Sequence, residues 1–392
     1  MTEQSPNLHP ASPLLDHCPP SLPAACYYDA AVFAREQDLI WRRNWLYVGR
    51  NNDLPPATMR RLHIAGQNLI LVKDWQGTLT CFYNTCRHRG SELCTVAEKS
   101  VKSGLILCPY HFWSYDLSGR LVRTPIVTVT DDFNRDEYGL LPVSVKLWNG
   151  CIFVCLAKDA PDFADAPDLG VHALDNWPME SLVTGHTMVK ELDCNWKVFW
   201  ENYNECLHCP GIHPELCDMV PVYGKGIMAP NEDVNWTPEA AQPAHGLKTG
   251  ARSWTVNGQP CGPEFAGLTD AQRSAGHTFV TMLPNAFIVA HVDYMRIVTV
   301  TPLAPEKTEL RADWLFLRET MEAPGFDLAN VVDFARTVML QDGEACEMNQ
   351  RGMRSAAFER GRLMPQEFDV HRFHKWLGRH VDYETASTGE TR

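Results

Sequence analysis

Four side chains able to hold metal stand in two short stretches. One is Cys86-Arg87-His88; the other, nineteen residues on, is Cys108-Pro109-Tyr110-His111. Each stretch offers one thiolate and one imidazole. Two thiolates on one iron and two neutral imidazoles on the other make a [2Fe–2S] centre in which His replaces half of the Cys. Exchanging two anionic ligands for neutral rings raises the reduction potential, which suits a centre that hands electrons on. The same residue types also bind zinc. Structural zinc, however, pairs a Cys-rich loop with a His-rich one, whereas here each stretch mixes one Cys with one His.

A second set lies further along. Asn195-Trp196-Lys197 opens a predicted helix on which Glu201, Glu205 and His208, spaced by four and three, share a face. His213 lies five residues beyond His208, and Pro210-Gly211 between them is expected to break the helix and let His213 swing back. Two imidazoles and one carboxylate with positions left open form the ligand set of non-haem Fe(II) sites that activate oxygen. The carboxylate must come from elsewhere in the chain. Asp342, in Gln341-Asp342-Gly343-Glu344, is the candidate, with Glu344, Glu347 and Asp333 as chemical rivals. For any helical acid a solvated face is the commoner fate.

Cys86-Arg-His-Arg-Gly and Cys108-Pro-Tyr-His-Phe-Trp resemble the cluster loops of Rieske non-haem iron oxygenases. The respiratory and photosynthetic Rieske proteins carry an extra Cys in each loop, where this chain has Ser91 and Tyr110. Phe112 stands where the oxygenases more often have Gly or Ala. Glu205-Cys-Leu-His208-Cys-Pro-Gly-Ile-His213 resembles the iron-binding motif of the same family, and Gln341-Asp342 the segment giving its third ligand. The resemblance implies that Cys86, His88, Cys108 and His111 hold a Rieske [2Fe–2S] cluster, and that His208, His213 and Asp342 hold a mononuclear Fe(II). It gives Glu205 a catalytic bridging role between a cluster His of one subunit and an iron-ligand His of its neighbour. A head-to-tail homotrimer is implied with it.

The larger ring-hydroxylating branch usually has Asp at the bridge. Glu205, with Asn202-Tyr-Asn-Glu-Cys206 and His213-Pro-Glu-Leu216, is more similar to the branch acting on glycine betaine, proline betaine, carnitine and choline. The implied reaction is an N-demethylating monooxygenation using O2 and electrons from NAD(P)H, delivered by a flavin- or ferredoxin-type reductase. Ring hydroxylation of an aromatic substrate is the competing enzymatic reading, and an electron carrier without oxygenase activity is the competing reading of another class. A trimethylammonium group has no hydrogen to donate, so aromatic faces or carboxylates must hold it. Trp200, Tyr203, Phe287 and Tyr294 lie in segments that could line such a pocket, with plain core packing as the alternative for each.

The elements that must position these groups follow from pattern. Residues 1–22, rich in Pro and Ser, read as a poorly ordered arm, and 23–45 as an N-terminal segment with an amphipathic helix from Asp29 to Trp45. Residues 46–157 alternate in short β-like runs punctuated by turns such as Asp74-Trp-Gln-Gly77, describing a small antiparallel β domain whose loops carry the cluster ligands. The acidic segment Lys158 to Pro167 reads as a linker into a larger catalytic domain, 158–392. There, a strand from Thr184 to Leu192, several runs between His277 and Leu317, and a closing helix from Asp327 to Phe358 predict an antiparallel sheet packed by helices, helix-grip-like. The fold class is therefore α+β. Pro210 to Gly276 is long and irregular, as functional lids often are.

With 392 residues, each domain is large enough to bury a core. A net charge of −13 argues against nucleic acid as a partner and is compatible with a cationic amine substrate. No apolar run reaches the length of a membrane span, so no membrane partner is expected. Fourteen dispersed Cys without a secretory leader suggest a reducing cytoplasm, with the spare thiols as buried small hydrophobes.

Overall fold

The computed structural model describes residues 9–163, 172–239 and 246–386. These fall into two compact units, one within residues 41–167 and 179–183, the other within 1–40, 168–178 and 184–392. Residues 1–8 of the expected arm and 164–167 of the expected linker lie outside the described residues.

In the first unit a seven-stranded sheet runs in the order Leu46–Arg50, Cys151–Cys155, Pro142–Trp148, Leu79–Tyr83, Gln67–Lys73, Thr58–Ile64, Glu98–Ser100. Its neighbours pair antiparallel, as in Leu71 opposite Cys81. A smaller three-stranded sheet, Leu105–Leu107, Ser114–Asp116 and Leu121–Arg123, stands beside it in sequence. The core contains Ile70, Val72, Phe82, Trp113 and Tyr115, and it includes the sulfurs of Cys86 and Cys108. Those two thiols are therefore built into the hydrophobic interior from which the ligand loops project.

In the second unit a five-stranded sheet runs in the order Val183–Leu192, Lys307–Phe316, Met295–Ala304, Ala286–His291, His277–Met282. The strand Ala286–His291 is buried along its whole length, which explains its continuous apolar run. The helix Trp196–Tyr203 begins where the Asn195 side chain accepts from the Lys197 amide, a side-chain N-cap. The long helix Leu328–Met353 is capped likewise by Asp327, which accepts from Ala329 and Asn330. It packs so closely on the first strand that a Cβ at Gly343 would lie 2.8 Å from Leu192. Glycine in a helix interior costs about 1 kcal/mol relative to Ala, and here it is the condition for that approach.

From His9 on, the expected arm is paired rather than loose. Leu15 N–H donates to the Pro365 carbonyl, Ser21 N–H to that of Gly361, and Pro20 bridges to Arg362. The helix predicted over Asp29–Trp45 is shorter, Ala30–Glu36, continuing as a π turn over Gln37–Trp41. It is tied down by a buried ion pair. Glu36 and Lys197, both fully buried, meet at 2.6 Å, while Trp196 Nε1 and Tyr383 Oη also donate to the Glu36 carboxylate at 2.8 Å. A buried pair is tolerable only when its remaining bonding capacity is met, and here it is. No helix among the described residues is long and apolar enough to cross a membrane.

Candidate metal centres and active site

The two cluster loops are set by the β framework. Cys86-Arg87-His88 follows the strand Leu79–Tyr83, and Cys108-Pro109-Tyr110-His111 forms the turn between the strands Leu105–Leu107 and Ser114–Asp116. The turn closes through Cys108 N–H to the Trp113 carbonyl at 2.9 Å and Phe112 N–H to the Cys108 carbonyl at 3.1 Å. Phe112 sits at φ +61°, in the left-handed region that favours glycine. Phe112, which carries a Cβ, is strained in that conformation.

Both thiols are buried, and the two imidazoles are half-buried with ring centroids 4.8 Å apart. His88 stacks on Trp113 at 4.7 Å, which fixes its ring plane. Tyr115 Oη lies 3.3 Å from the Cys86 sulfur and accepts from the Arg87 amide at 3.0 Å. Burial pushes the Cys86 thiol above its ordinary value, with Tyr115 opposing and Cys108 adding to the rise. Burial also lowers His88, reinforced by His111, so both factors favour the neutral ring a metal needs. Paired sulfurs inside and paired imidazoles at the rim fit a two-iron cluster.

In the second unit His208, His213 and Asp342 converge, with one ligand atom of each within 4.8 Å of the others. Asp342 Oδ1 is 2.9 Å from His213 Nε2 and 3.4 Å from His208 Nε2. The far nitrogen of each ring is held separately: His208 Nδ1 by Glu205 Oε1 at 2.6 Å, and His213 Nδ1 by Gln341 Oε1 at 2.8 Å. With Nδ1 held as the proton-bearing nitrogen, loss of the Nε2 proton from each ring would turn its lone pair to the common point, the tautomer that binds a metal. Glu205 is fixed in turn by the Leu207 amide, which donates to it. Burial disfavours a charge on His208, but its bonds to Asp342 and Glu205 outweigh that and hold it at about 9. Asp342 is kept below its ordinary value by the two His despite burial, so it stays a carboxylate.

The local fold differs from the expected broken helix. The helix stops at Tyr203, Glu205 to His208 form a turn, and a new helical turn, Cys209–Ile212, begins with Pro210 in its first turn. Proline is tolerated there because that N–H has no helical partner. Pro210 thus starts a helix instead of ending one. Cys206 and Cys209, bracketing His208, are joined as a disulfide, so these two are not the free buried thiols expected. The turn brings their Cα atoms to 5.0 Å, inside bonding range. Among the rivals of Asp342, Glu344 is exposed, Asp333 pairs with Arg336, and Glu347 accepts from the Asp193 amide.

These ligands open onto a cavity of about 290 Å³. Of the four aromatics proposed to line it, Tyr203 and Phe287 do so, with rings 4.1 Å apart. Trp200 and Tyr294 do not. Trp200 is fully buried and donates to the Pro284 carbonyl at 2.8 Å, and Tyr294 donates to the Trp254 carbonyl at 2.7 Å, so both serve the core. Sequence reasoning missed Trp254, Phe279 and Arg296. Trp254 comes from the irregular stretch after Pro210, pinned by Tyr294 and by Ser253 Oγ donating to Asp293 at 2.6 Å. Arg296 is a charge inside the apolar run Met295–Val300, and that interruption was the available signal. Burial lowers its basicity, although a guanidinium stays charged.

Compared with known proteins, residues 44–134 match the Rieske [2Fe-2S] domain and residues 179–383 match the ring hydroxylating alpha subunit (catalytic domain). The chain is 30% identical over 381 residues to the glycine betaine monooxygenase oxygenase subunit of Pseudomonas aeruginosa, covering 91% of this chain and 88% of that one. It is 26% identical over 355 residues to the carnitine monooxygenase oxygenase subunit of Acinetobacter pittii, covering 88% of each. A solved quaternary ammonium Rieske monooxygenase shares the fold with a TM-score of 0.73 at 21% identity, over 93% of this chain and 96% of that chain.

Proposed function

Since this chain belongs to the Rieske non-haem iron oxygenases, as a catalytic alpha subunit, we propose that it N-demethylates a quaternary ammonium compound such as a betaine. The observation that carries the reading is the pairing of the His208, His213 and Asp342 site with a small cavity walled by Tyr203, Phe279, Phe287 and Trp254. Aromatic faces bind a trimethylammonium group, which offers no hydrogen bond. The named relatives act on amines of that class, which supports it over ring hydroxylation. An electron carrier without a second centre would have no use for the catalytic region.

In this reading Cys86, His88, Cys108 and His111 hold the cluster, and His208, His213 and Asp342 hold the iron. When bound, these groups would supply one-electron delivery and activation of O2, so that one oxygen atom enters a C–H bond and the other leaves as water. The aromatic walls present one N-methyl group towards the three ligands. Glu205 and Gln341 keep both imidazoles in the ligating tautomer and orientation. The hydroxylated methyl then loses its hydroxyl proton as the C–N bond breaks. Formaldehyde departs, and the electron pair and a proton remain on nitrogen. Two electrons per turnover come from NAD(P)H through a flavin- or ferredoxin-type reductase. Glu205 bridges to a cluster His of a neighbouring copy in a homotrimer, and the protein works in the cytoplasm.

Purified protein, a surrogate reductase, NADH and a panel of trimethylammonium compounds test the proposal. The expected result is formaldehyde in step with NADH consumed. NADH consumption without formaldehyde from any member of the panel overturns it.

A further inference from the structure

The cavity that opens onto the three candidate ligands contains a cation that forms no ion pair among the described residues, although Asp342 acts on it from a distance. Arg296 is 6% exposed, and its Nε and Nη1 are buried with no hydrogen-bond partner among the described residues. It lies on the strand Met295–Ala304, opposite Val289 and Trp314, neither of whose side chains can accept. The acids lining the same cavity are engaged elsewhere. Glu205 holds His208, Asp342 holds both imidazoles, and Asp369 pairs with Arg372 at 2.7 Å. A buried charge left in this state is costly, and a fork of N–H donors matches a carboxylate above all other partners.

We propose that Arg296 is the specificity residue for the substrate's acid group, so that the ligand is a zwitterion carrying a carboxylate as well as a quaternary nitrogen. The inference rests on the demethylation reading and narrows it. A bare cation such as choline would bring a second positive charge into a site that already holds one, and would leave the guanidinium unpaired. A betaine meets both conditions. Its carboxylate satisfies Arg296, while its methylated nitrogen lies among Tyr203, Phe279 and Phe287 towards the ligands. The pocket then recognises charge separation within one small molecule, which excludes neutral aromatics and simple cations by the same contact.

The test uses iron-loaded holoprotein and four ligands: glycine betaine, L-carnitine and γ-butyrobetaine, each with a carboxylate, and choline, without one. Binding is measured by calorimetry and turnover by formaldehyde, for wild type, Arg296→Gln and Arg296→Lys. At least one carboxylated ligand should bind wild type ~100-fold or more tightly than choline, because a site built for a polar group rejects an analogue lacking it strongly. Arg296→Gln should erase that preference with iron content and melting temperature retained, and Arg296→Lys should keep part of it. If no carboxylated ligand outbinds choline in wild type, the assignment to Arg296 is overturned, even if the variants do not fold. It is equally overturned if a folded Arg296→Gln protein keeps the preference. Arg296-dependent binding without formaldehyde from any ligand would leave the carboxylate contact standing and sink demethylation instead.

Discussion

The two histidine pairs of this chain are built on opposite plans. His88 and His111 sit on short β loops, half-buried, with neighbouring rings for company and, among the described residues of the chain, no carboxylate on either ring. His208 and His213 are each gripped at Nδ1 by an oxygen and at Nε2 by Asp342. In the proposed cluster the first pair takes one iron and two buried sulfurs take the other, so the sulfurs anchor the centre in the core and the rings need only orientation. The second pair has no thiolate beside it, since the nearby Cys209 is tied up in the disulfide with Cys206. Its geometry must come from a hydrogen-bonded shell, and one acid of that shell comes from 129 residues beyond His213.

Breaking each plan separately should separate the centres. His213→Ala or Asp342→Ala should reduce three irons per chain to two, preserve the Rieske signal and lower turnover by ~1000-fold or more. Cys108→Ser should do the reverse, losing the cluster's spectrum and leaving one iron. Metal analysis alongside electron paramagnetic resonance checks both. If either substitution empties both centres, the plans are not independent.

A milder cut addresses the shell. Glu205→Gln keeps a side chain of the same shape but removes the charge on His208. Both metals should stay, while coupled turnover falls by about 10- to 100-fold or more, the range typical for partners of a metal-bound His. Unchanged formaldehyde release would remove Glu205 from the mechanism.

The shell also makes pH a probe. In metal-free protein His208 lies at about 9, above its ordinary 6.5. A folded value raised in this way stabilises fully below about pH 6.5 and is lost as pH rises through about 9. Denaturant titration of the metal-free form should therefore show lower stability at about pH 9.5 than at about pH 6, and iron loading should weaken in the opposite direction, as pH falls. His88, which burial lowers, should act in the opposite sense and cost stability as pH falls. Smallest of all is Phe112→Gly, which should raise stability by about 1 kcal/mol by relieving the left-handed strain at an exposed side chain, read as a small rise in melting temperature.

The same contrast explains what could be read from the chain. The cluster loops were legible because all four candidate ligands lie within 26 consecutive residues, between strands whose alternation is plain. His208 and His213 were legible for the same reason, although Pro210 misled: its local effect depends on whether it begins or interrupts a helix, which only tertiary context decides. Asp342 was found by resemblance, since its rivals Glu344 and Glu347 share its helix and only packing at Gly343 turns one of them inward. The cavity wall was the least legible. Tyr203 and Trp200 sit three residues apart on one helix, yet one faces the cavity and the other the core. Trp254 reaches the wall from a stretch without periodicity, held by its own carbonyl accepting from Tyr294 and by its neighbour Ser253 donating to Asp293, contacts that no local pattern announces.

The ion pair between Glu36 and Lys197 governs how the polypeptide can be dissected. The half bearing the three-ligand site is discontinuous in sequence, because a segment that precedes the cluster-bearing half closes over the helix leading to His208. Excising residues 184–386 as a stand-alone fragment would strand an ammonium in a dry interior, whereas residues 41–167 can be lifted out without severing that clasp. Anyone transplanting the site onto another scaffold would have to carry the N-terminal segment with it.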